Sequence, residues 1–303
     1  MLCGKENKSM KIYGREIAQI ILDNLKREIV ELRGKGIIPH LAIILVGNDK
    51  ASKVYVEQKE KKANEIGAKA SIYTLHETTT QNEILEIITK LNNDHTIHGI
   101  IVQKPLPHGI NSEIIDKATH RTKDIDAFHK DSSYPMPLPK AIIEILKIIF
   151  KKLKSSTWTS IGVINDDKND SNFYNFLKNK NIVVIGKGET GGRPIISTLK
   201  DIGIEPIVID SKTINSNEIT LNADIIICTV GKRNIINRSN IKQDVILIGV
   251  GMQKGEDEKL YGDYDEKEIE KIASYYTPIP GGVGPVNVAM LLKNLLLATK
   301  AII

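Results

Sequence analysis

Cysteine is nearly absent: the chain has two in 303 residues, Cys3 and Cys228. They stand too far apart to form a metal-ligand spacing, and thiols this sparse give no disulfide framework. The expectation is a reducing, cytoplasmic compartment and no metal site. Long apolar runs are also missing. Leu41–Val46, Ile182–Ile185 and Val245–Val250 fall far short of the ~20 residues that span a bilayer, so no membrane partner is expected. The start of the chain carries lysine but no long apolar stretch behind it, which is not a secretory signal. Its first ten residues read as a loose extension, and no repeat of solenoid period is visible.

A strong excess of one charge is lacking too. The formal net charge is +5, but basic residues are mixed with acids, as in Lys26-Arg27-Glu28 and Lys59-Glu60-Lys61-Lys62. The densest basic stretch, Lys147 to Lys154, alternates with Ile, Phe and Leu and reads as a helix with a solvated face. This pattern argues against a nucleic-acid partner. A mild positive balance suits a small polyanionic substrate or cofactor. With 41% hydrophobic and 26% charged residues, the chain has the composition of an ordinary folded protein, and its length suits two domains.

Helix and strand patterns alternate. Apolar residues at helical spacing run from Arg15 to Leu32, ending near Gly34 and Gly36. Leu41–Val46 reads as a strand. Ser52 is placed to cap a helix that reaches about Ile66 and stops at Gly67. Ala70–Leu75 reads as a strand, Asn82–Leu91 as a helix, and Gly99–Gln103 as a strand broken at Pro105-Leu106-Pro107. This is a βαβαβ series, the pattern of a parallel sheet with helices on its faces. A helix over Ile142–Leu153 leads to a second series. It has strands at Asn181–Ile185, Pro206–Ile209, Asp224–Thr229 and Val245–Val250, with a helix after the first of them. Ser155–Lys180 is polar and reads as an insertion or exposed loop. Val288–Ala301 is an apolar helix. The fold class is therefore α/β in two domains: an N-terminal parallel-sheet domain (residues 1–143 with 284–303) and a Rossmann dinucleotide-binding domain (residues 144–283).

Gly186-Lys187-Gly188-Glu189-Thr190-Gly191 matches G-x-G-x-x-G between a predicted strand and a predicted helix, the context that gives the motif meaning. Glycines let the backbone turn tightly beside a pyrophosphate, and the helix N-terminus offers N–H groups to the anion. Pro194 fits the first helical turn. Asp210 ends the next strand, 24 positions after Gly186, where an acid accepts the ribose 2′-OH of NAD. Lys187, Ser211 and Lys212 could instead hold the 2′-phosphate of NADP. Both cofactors stay open at this point.

Tyr55 and Lys59 stand four apart and share one helix face. A lone pair of this kind is usually a solvated face. Gln103, however, lies at the carboxyl end of a strand, where ligands bind in parallel sheets, and Asp124 and Asp126 follow soon after. A Lys, a Gln and an Asp could converge there.

Tyr55-Val-Glu-Gln-Lys59, Gly99-Ile-Ile-Val-Gln103-Lys-Pro105-Leu-Pro107, Lys123-Asp-Ile-Asp126 and Pro278-Ile-Pro-Gly-Gly-Val-Gly-Pro285 occur in this order. From about Lys11 to the C-terminal helix, the chain resembles the bifunctional methylenetetrahydrofolate dehydrogenase/cyclohydrolase family. The resemblance implies a cleft between the two domains and a C-terminal helix that returns to the first domain. It implies oxidation of 5,10-methylenetetrahydrofolate with NADP, then hydrolysis of the methenyl product to 10-formyltetrahydrofolate. Lys59 would be the essential group of hydrolysis, moving protons around the attacking water. Gln103 would hydrogen-bond Lys59, Tyr55 would stack on the folate, and Asp126 would anchor the pterin. Pro280, Gly281 and Gly282 would lie along the folate, the glycines allowing close backbone approach. Gly186, Lys187, Gly188, Ser211 and Met252 match cofactor-contacting positions, beside Gly191 and Asp210 from the motif. A homodimer through the Rossmann domains is implied as well.

The sequence departs from the family pattern at several points. Ala127 replaces the usual Gly after Asp126, and the stretch from His129 to Pro135 is shortened. Met136-Pro-Leu-Pro139-Lys-Ala141 replaces Pro-Cys-Thr-Pro-x-Gly. Gly188 stands for Ser, Gly249 for Asp and Asn287 for Thr. Other readings are a short-chain dehydrogenase, a monofunctional dehydrogenase and a non-catalytic nucleotide-binding relative. The first fails because its glycine motif precedes its Tyr-x-x-x-Lys pair, the reverse of the order here; the intact Lys59 set speaks against the other two.

Overall fold

The computed structural model describes residues 9–154 and 171–302. The chain divides into two compact units: Ala18–Lys140 with Asn287–Ile303, and Met1–Ile17 with Ala141–Val286. This differs from the expected division at the start of the chain. Strand β1 (Met10–Lys11) pairs with a strand formed by Tyr275–Tyr276, so the first segment belongs with the unit that holds Ala141–Val286. Two-residue strands carry no readable periodicity, and the expected loose extension over the first ten residues is corrected at Met10, which is paired in a sheet. The part of it over residues 1–8 lies outside the described residues.

Helix α1 (Gly14–Gly34) follows, burying Ile17, Ile21, Leu25, Ile29 and Leu32 at steps of three and four. Next come β2 (His40–Val46), α2 (Lys50–Glu65), β3 (Lys69–Leu75), α3 (Gln81–Asn93), β4 (Gly99–Val102) and α4 (Ser112–Ala118). The three strands form a parallel sheet in the order β3-β2-β4. The central strand β2 is buried along its whole length, as its unbroken apolar run requires. Ala42, Ile44, Ile84, Ile88, Ile100 and Ile115 form the core between this sheet and α3 and α4. The cap of α2 is Asp49 rather than the expected Ser52. The Asp49 carboxylate accepts the backbone N–H of Ser52 at 2.7 Å, and this bond holds its carboxyl below the usual range. The helix stops at Gly67, whose φ of +88° suits glycine.

Beyond the first sheet lie α5 (Pro137–Lys154), α6 (Ser171–Lys178), β5 (Ile182–Ile185), α7 (Gly192–Asp201), β6 (Ile207–Ile209), α8 (Ser216–Leu221), β7 (Ile225–Cys228) and β8 (Ile246–Gly249). Then come β9 (Met252–Lys254), β10 (Leu260–Gly262), α9 (Glu266–Ile269), β11 (Tyr275–Tyr276) and α10 (Val283–Lys300). The second sheet has the order β1-β11-β8-β7-β5-β6 and is parallel throughout. Strands β9 and β10 make a separate antiparallel hairpin. The polar loop expected over Ser155–Lys180 is corrected at its end: α6 is helical and buries Phe173 and Leu177, with Phe173 edge-on to Phe150. Two apolar residues four apart are enough for one buried helix face, whatever the polarity around them. The rest of that segment lies outside the described residues. Among the described residues no helix is long and apolar enough to cross a membrane.

Candidate active site

Lys59 lies one turn after Tyr55 on α2 and is 7% exposed. Its Nζ donates to Gln103 Oε1 at 3.0 Å and stands 3.9 Å from Asp126 Oδ2. A buried ammonium needs such partners, since an unpaired one is expelled from low dielectric. Gln103 follows the last residue of β4 and is fixed at both ends. Its backbone N–H donates to Ile44 O, and its Nε2 donates to Lys104 O at 2.6 Å. Only the amide oxygen is left to face Lys59. Tyr55 is partly exposed on the same helix, free to present its ring.

Asp126 rides on a loop organised by its neighbour Asp124. The buried Asp124 carboxylate accepts Ala127 N–H at 3.0 Å and His129 N–H at 2.8 Å. Burial, opposed by these bonds and reinforced by the nearby Asp126 charge, raises its carboxyl to about 6. The shortened stretch before Pro135 folds back onto the same loop. Ser132 Oγ donates to Asp124 O, and Tyr134 Oη donates to Thr122 O. From α10, buried Asn294 donates to Ile125 O at 2.9 Å and to Pro135 O at 2.8 Å. The loop is thus stitched from both sides. Ala127 has φ +61°, which explains why glycine is usual there: a Cβ in the left-handed region costs about 1 kcal/mol.

In the other unit the glycine turn joins β5 to α7. Gly186 has φ +102°, and a Cβ on it would meet Thr229 Oγ1 at 2.6 Å. The expected third glycine, Gly191, has ordinary space around it. Its neighbour Gly192 carries the close approach: a Cβ there would lie 1.9 Å from Gly186 O. The G-x-G-x-x-G pattern ends one residue before the crowded glycine, and the doubled Gly191-Gly192 is the signal in the sequence. Gly188 faces open space, so nothing in the fold demands glycine rather than the usual Ser. Gly249 is crowded, with Ile279 Cδ1 2.3 Å from the place of a Cβ, which accounts for the missing Asp.

Asp210, just beyond β6, accepts from Lys187 Nζ at 2.8 Å through Oδ2. Its Oδ1 accepts Lys212 N–H and the Thr213 hydroxyl. The Lys187 hydrogen bond leads in holding this carboxyl down to about 2. Ser211 is exposed beside it, and Met252 opens β9. The turn, the first part of α7 and the Lys187–Asp210 pair fit a nucleotide: backbone N–H groups stand ready for pyrophosphate and polar groups for ribose. Pro280, Gly281 and Gly282 belong to this unit, and the Lys59 set to the other. Gly282 has an internal reason to be glycine, because a Cβ would meet Pro278 O at 2.6 Å.

Two family models match, one for each part of the chain. The tetrahydrofolate dehydrogenase/cyclohydrolase catalytic domain covers residues 12–126, and the NAD(P)-binding domain of the same family covers residues 170–302. The chain belongs to this family. The bifunctional protein FolD of Campylobacter concisus is 37% identical over 96% of this chain and 98% of its own length. A crystal structure of the family enzyme from Campylobacter jejuni, a bifunctional methylenetetrahydrofolate dehydrogenase/cyclohydrolase, has TM-score 0.85 at 34% identity, covering 97% of this chain and 99% of that one. The Trypanosoma brucei family member, solved with NADP and an inhibitor, has TM-score 0.82 at 27% identity, covering 97% and 98%. The glycine turn thus sits in an NAD(P)-binding domain, in a two-domain α/β fold of this family.

Proposed function

We propose that this chain oxidises 5,10-methylenetetrahydrofolate to the 5,10-methenyl form with NADP and then hydrolyses the methenyl form to 10-formyltetrahydrofolate. The observation that carries the reading is the buried Lys59, held between Gln103 Oε1 and the Asp126 carboxylate in a member of this family. In hydrolysis, water adds to the methenyl carbon and one carbon–nitrogen bond opens. One proton is released overall. Lys59 moves a proton between the attacking water and the departing nitrogen, while Gln103 holds the Nζ in place. Asp126 binds the pterin and balances the positive charge that Nζ carries once it has taken the proton. The Tyr55 ring packs on the folate.

The nicotinamide cofactor, when bound, accepts the hydride. Gly186, Lys187, Gly188, Gly191, Ser211 and Met252 would hold it, with Gly192 behind the turn. NADP is favoured over NAD because Asp210 is already engaged on both oxygens. An acid tied to Lys187 repels a 2′-phosphate less, and Lys187, Ser211 and Lys212 are the groups that would hold it. The same reading carries a cytoplasmic homodimer. The test is initial-rate kinetics with methylenetetrahydrofolate and each cofactor in parallel. Reduction of NADP at higher kcat/KM than NAD is expected. Equal or inverted preference removes the NADP assignment, and reduction of neither removes the enzyme reading.

A further inference from the structure

Asp263 follows β10 and is fully buried, yet neither composition nor motif spacing marks it. Its Oδ1 accepts the backbone N–H of Lys232 at 2.9 Å. Its own carbonyl accepts Ile236 N–H at 3.0 Å. Its Oδ2 is buried and meets no N–H or O–H donor among the described residues. The Cys228 thiol, a weak donor, lies beside the carboxylate; burial first, then the Asp263 charge, pushes that thiol up.

The surroundings are backbone. A Cβ on Gly251 would lie 2.5 Å from Asp263 Oδ2 and 2.1 Å from Gly231 N. A Cβ on Gly231, at φ +70°, would lie 2.9 Å from Met252 O. The chain after β7 and the chain after β8 therefore cross in direct backbone contact, with the Asp263 carboxylate lodged against them. Both segments leave the carboxyl ends of strands in a parallel sheet, where ligands bind, and Met252 is one of the positions assigned to the cofactor above. A buried carboxylate whose second oxygen has at best a weak thiol donor beside it is costly.

We infer that Asp263 is a positioning residue for the nicotinamide nucleotide: it holds residues 229–232 against residues 250–252 and so sets the backbone on which the cofactor rests. The inference rests on the nucleotide-binding reading of this unit. It assigns Asp263 no contact with substrate or cofactor.

The test compares Asp263→Ala and Asp263→Asn with the wild-type chain, using NADP as the probe. Methenyl hydrolysis, which uses Lys59, serves as the internal control. Removing the acceptor in Asp263→Ala is expected to raise KM for NADP about tenfold, the scale of one lost charge-assisted hydrogen bond. The kcat at saturating NADP and the hydrolysis rate are expected to stay within about threefold. Asp263→Asn keeps an oxygen for Lys232 N–H and is expected to restore KM to within about threefold of wild type. An unchanged KM in Asp263→Ala overturns the inference. So does a parallel loss of hydrolysis and thermal stability, which marks a merely structural role. Should Asp263→Ala not fold, Asp263→Asn decides alone: an affinity more than about thirtyfold weaker contradicts the acceptor role, and near-normal affinity supports it. Wild-type protein that reduces neither cofactor defeats the underlying functional reading instead, a separate outcome.

Discussion

The Lys59 site and the glycine turn are built in opposite ways. The first is a meeting of side chains: Nζ, amide oxygen and carboxylate converge from α2, the end of β4 and the loop after α4. The second is a meeting of backbones, in which Gly186 and Gly192 matter for the atoms they lack. A side-chain site is specified by residue identity, so its members are named in the sequence. A backbone site is specified by clearance, and which glycine carries the clearance depends on where the chain turns.

The sharpest way to break the comparison is Lys59→Met. Methenyl hydrolysis is expected to fall by about a thousandfold or more, while NADP binding and thermal unfolding stay near wild type. Retained hydrolysis sinks the role given to Lys59. Gly192→Ala is the counterpart. Its Cβ would overlap Gly186 O, so NADP affinity is expected to drop at least about a hundredfold, with the unit destabilised by several kcal/mol. Gly191→Ala, with only ordinary contacts, should change affinity less than about fivefold. If the two variants behave alike in an NADP titration, the assignment of the close approach to Gly192 is wrong.

Asp124 links the two kinds of site, since its carboxylate holds backbone so that a side chain, Asp126, is presented. Its carboxyl is raised to about 6 in the folded chain from an ordinary value near 3.8. The folded state therefore binds the proton more tightly. Its contribution to stability is fully present below pH ~4 and is lost as the pH rises through ~6. Asp124→Asn removes this titration. Relative to wild type, the variant is expected to gain on the order of 2–3 kcal/mol between pH 4 and 7, read from denaturant melts across that range. A difference that does not vary with pH contradicts the raised carboxyl. The smallest effect is expected for Ala127→Gly. Relief of the left-handed Ala127 should stabilise the chain by about 1 kcal/mol, with a matching rise in melting temperature; a drop would show that the loop depends on the Ala127 methyl.

Much of this was legible in the sequence. The apolar periodicity of α1 and the unbroken runs of β2, β5 and β8 could be read directly, because burial of an element is written in its own residues. Tyr55, Lys59, Gln103 and Asp126 were named from short blocks, and the family match bears out the kinship those blocks implied. Other elements left no such trace. Strands β1 and β11 are two residues long, and α6 lies in a polar stretch with only Phe173 and Leu177 turned inward. Strands β9 and β10 are three residues each and mostly exposed or half-buried, so the hairpin shows no core face.

What the sequence determined by itself is the α/β fold class, the family and the identity of the groups around Lys59, since these depend on residue type and order. Tertiary structure alone decided that Gly192 rather than Gly191 makes the close approach. It also revealed that Asp210 is tied to Lys187, that Asp124 shapes the Asp126 loop, and that Asp263 stands behind the crossing after β7 and β8. Each of these is a distance between residues far apart in the chain or a clearance around a backbone atom, and neither quantity exists until the chain is folded.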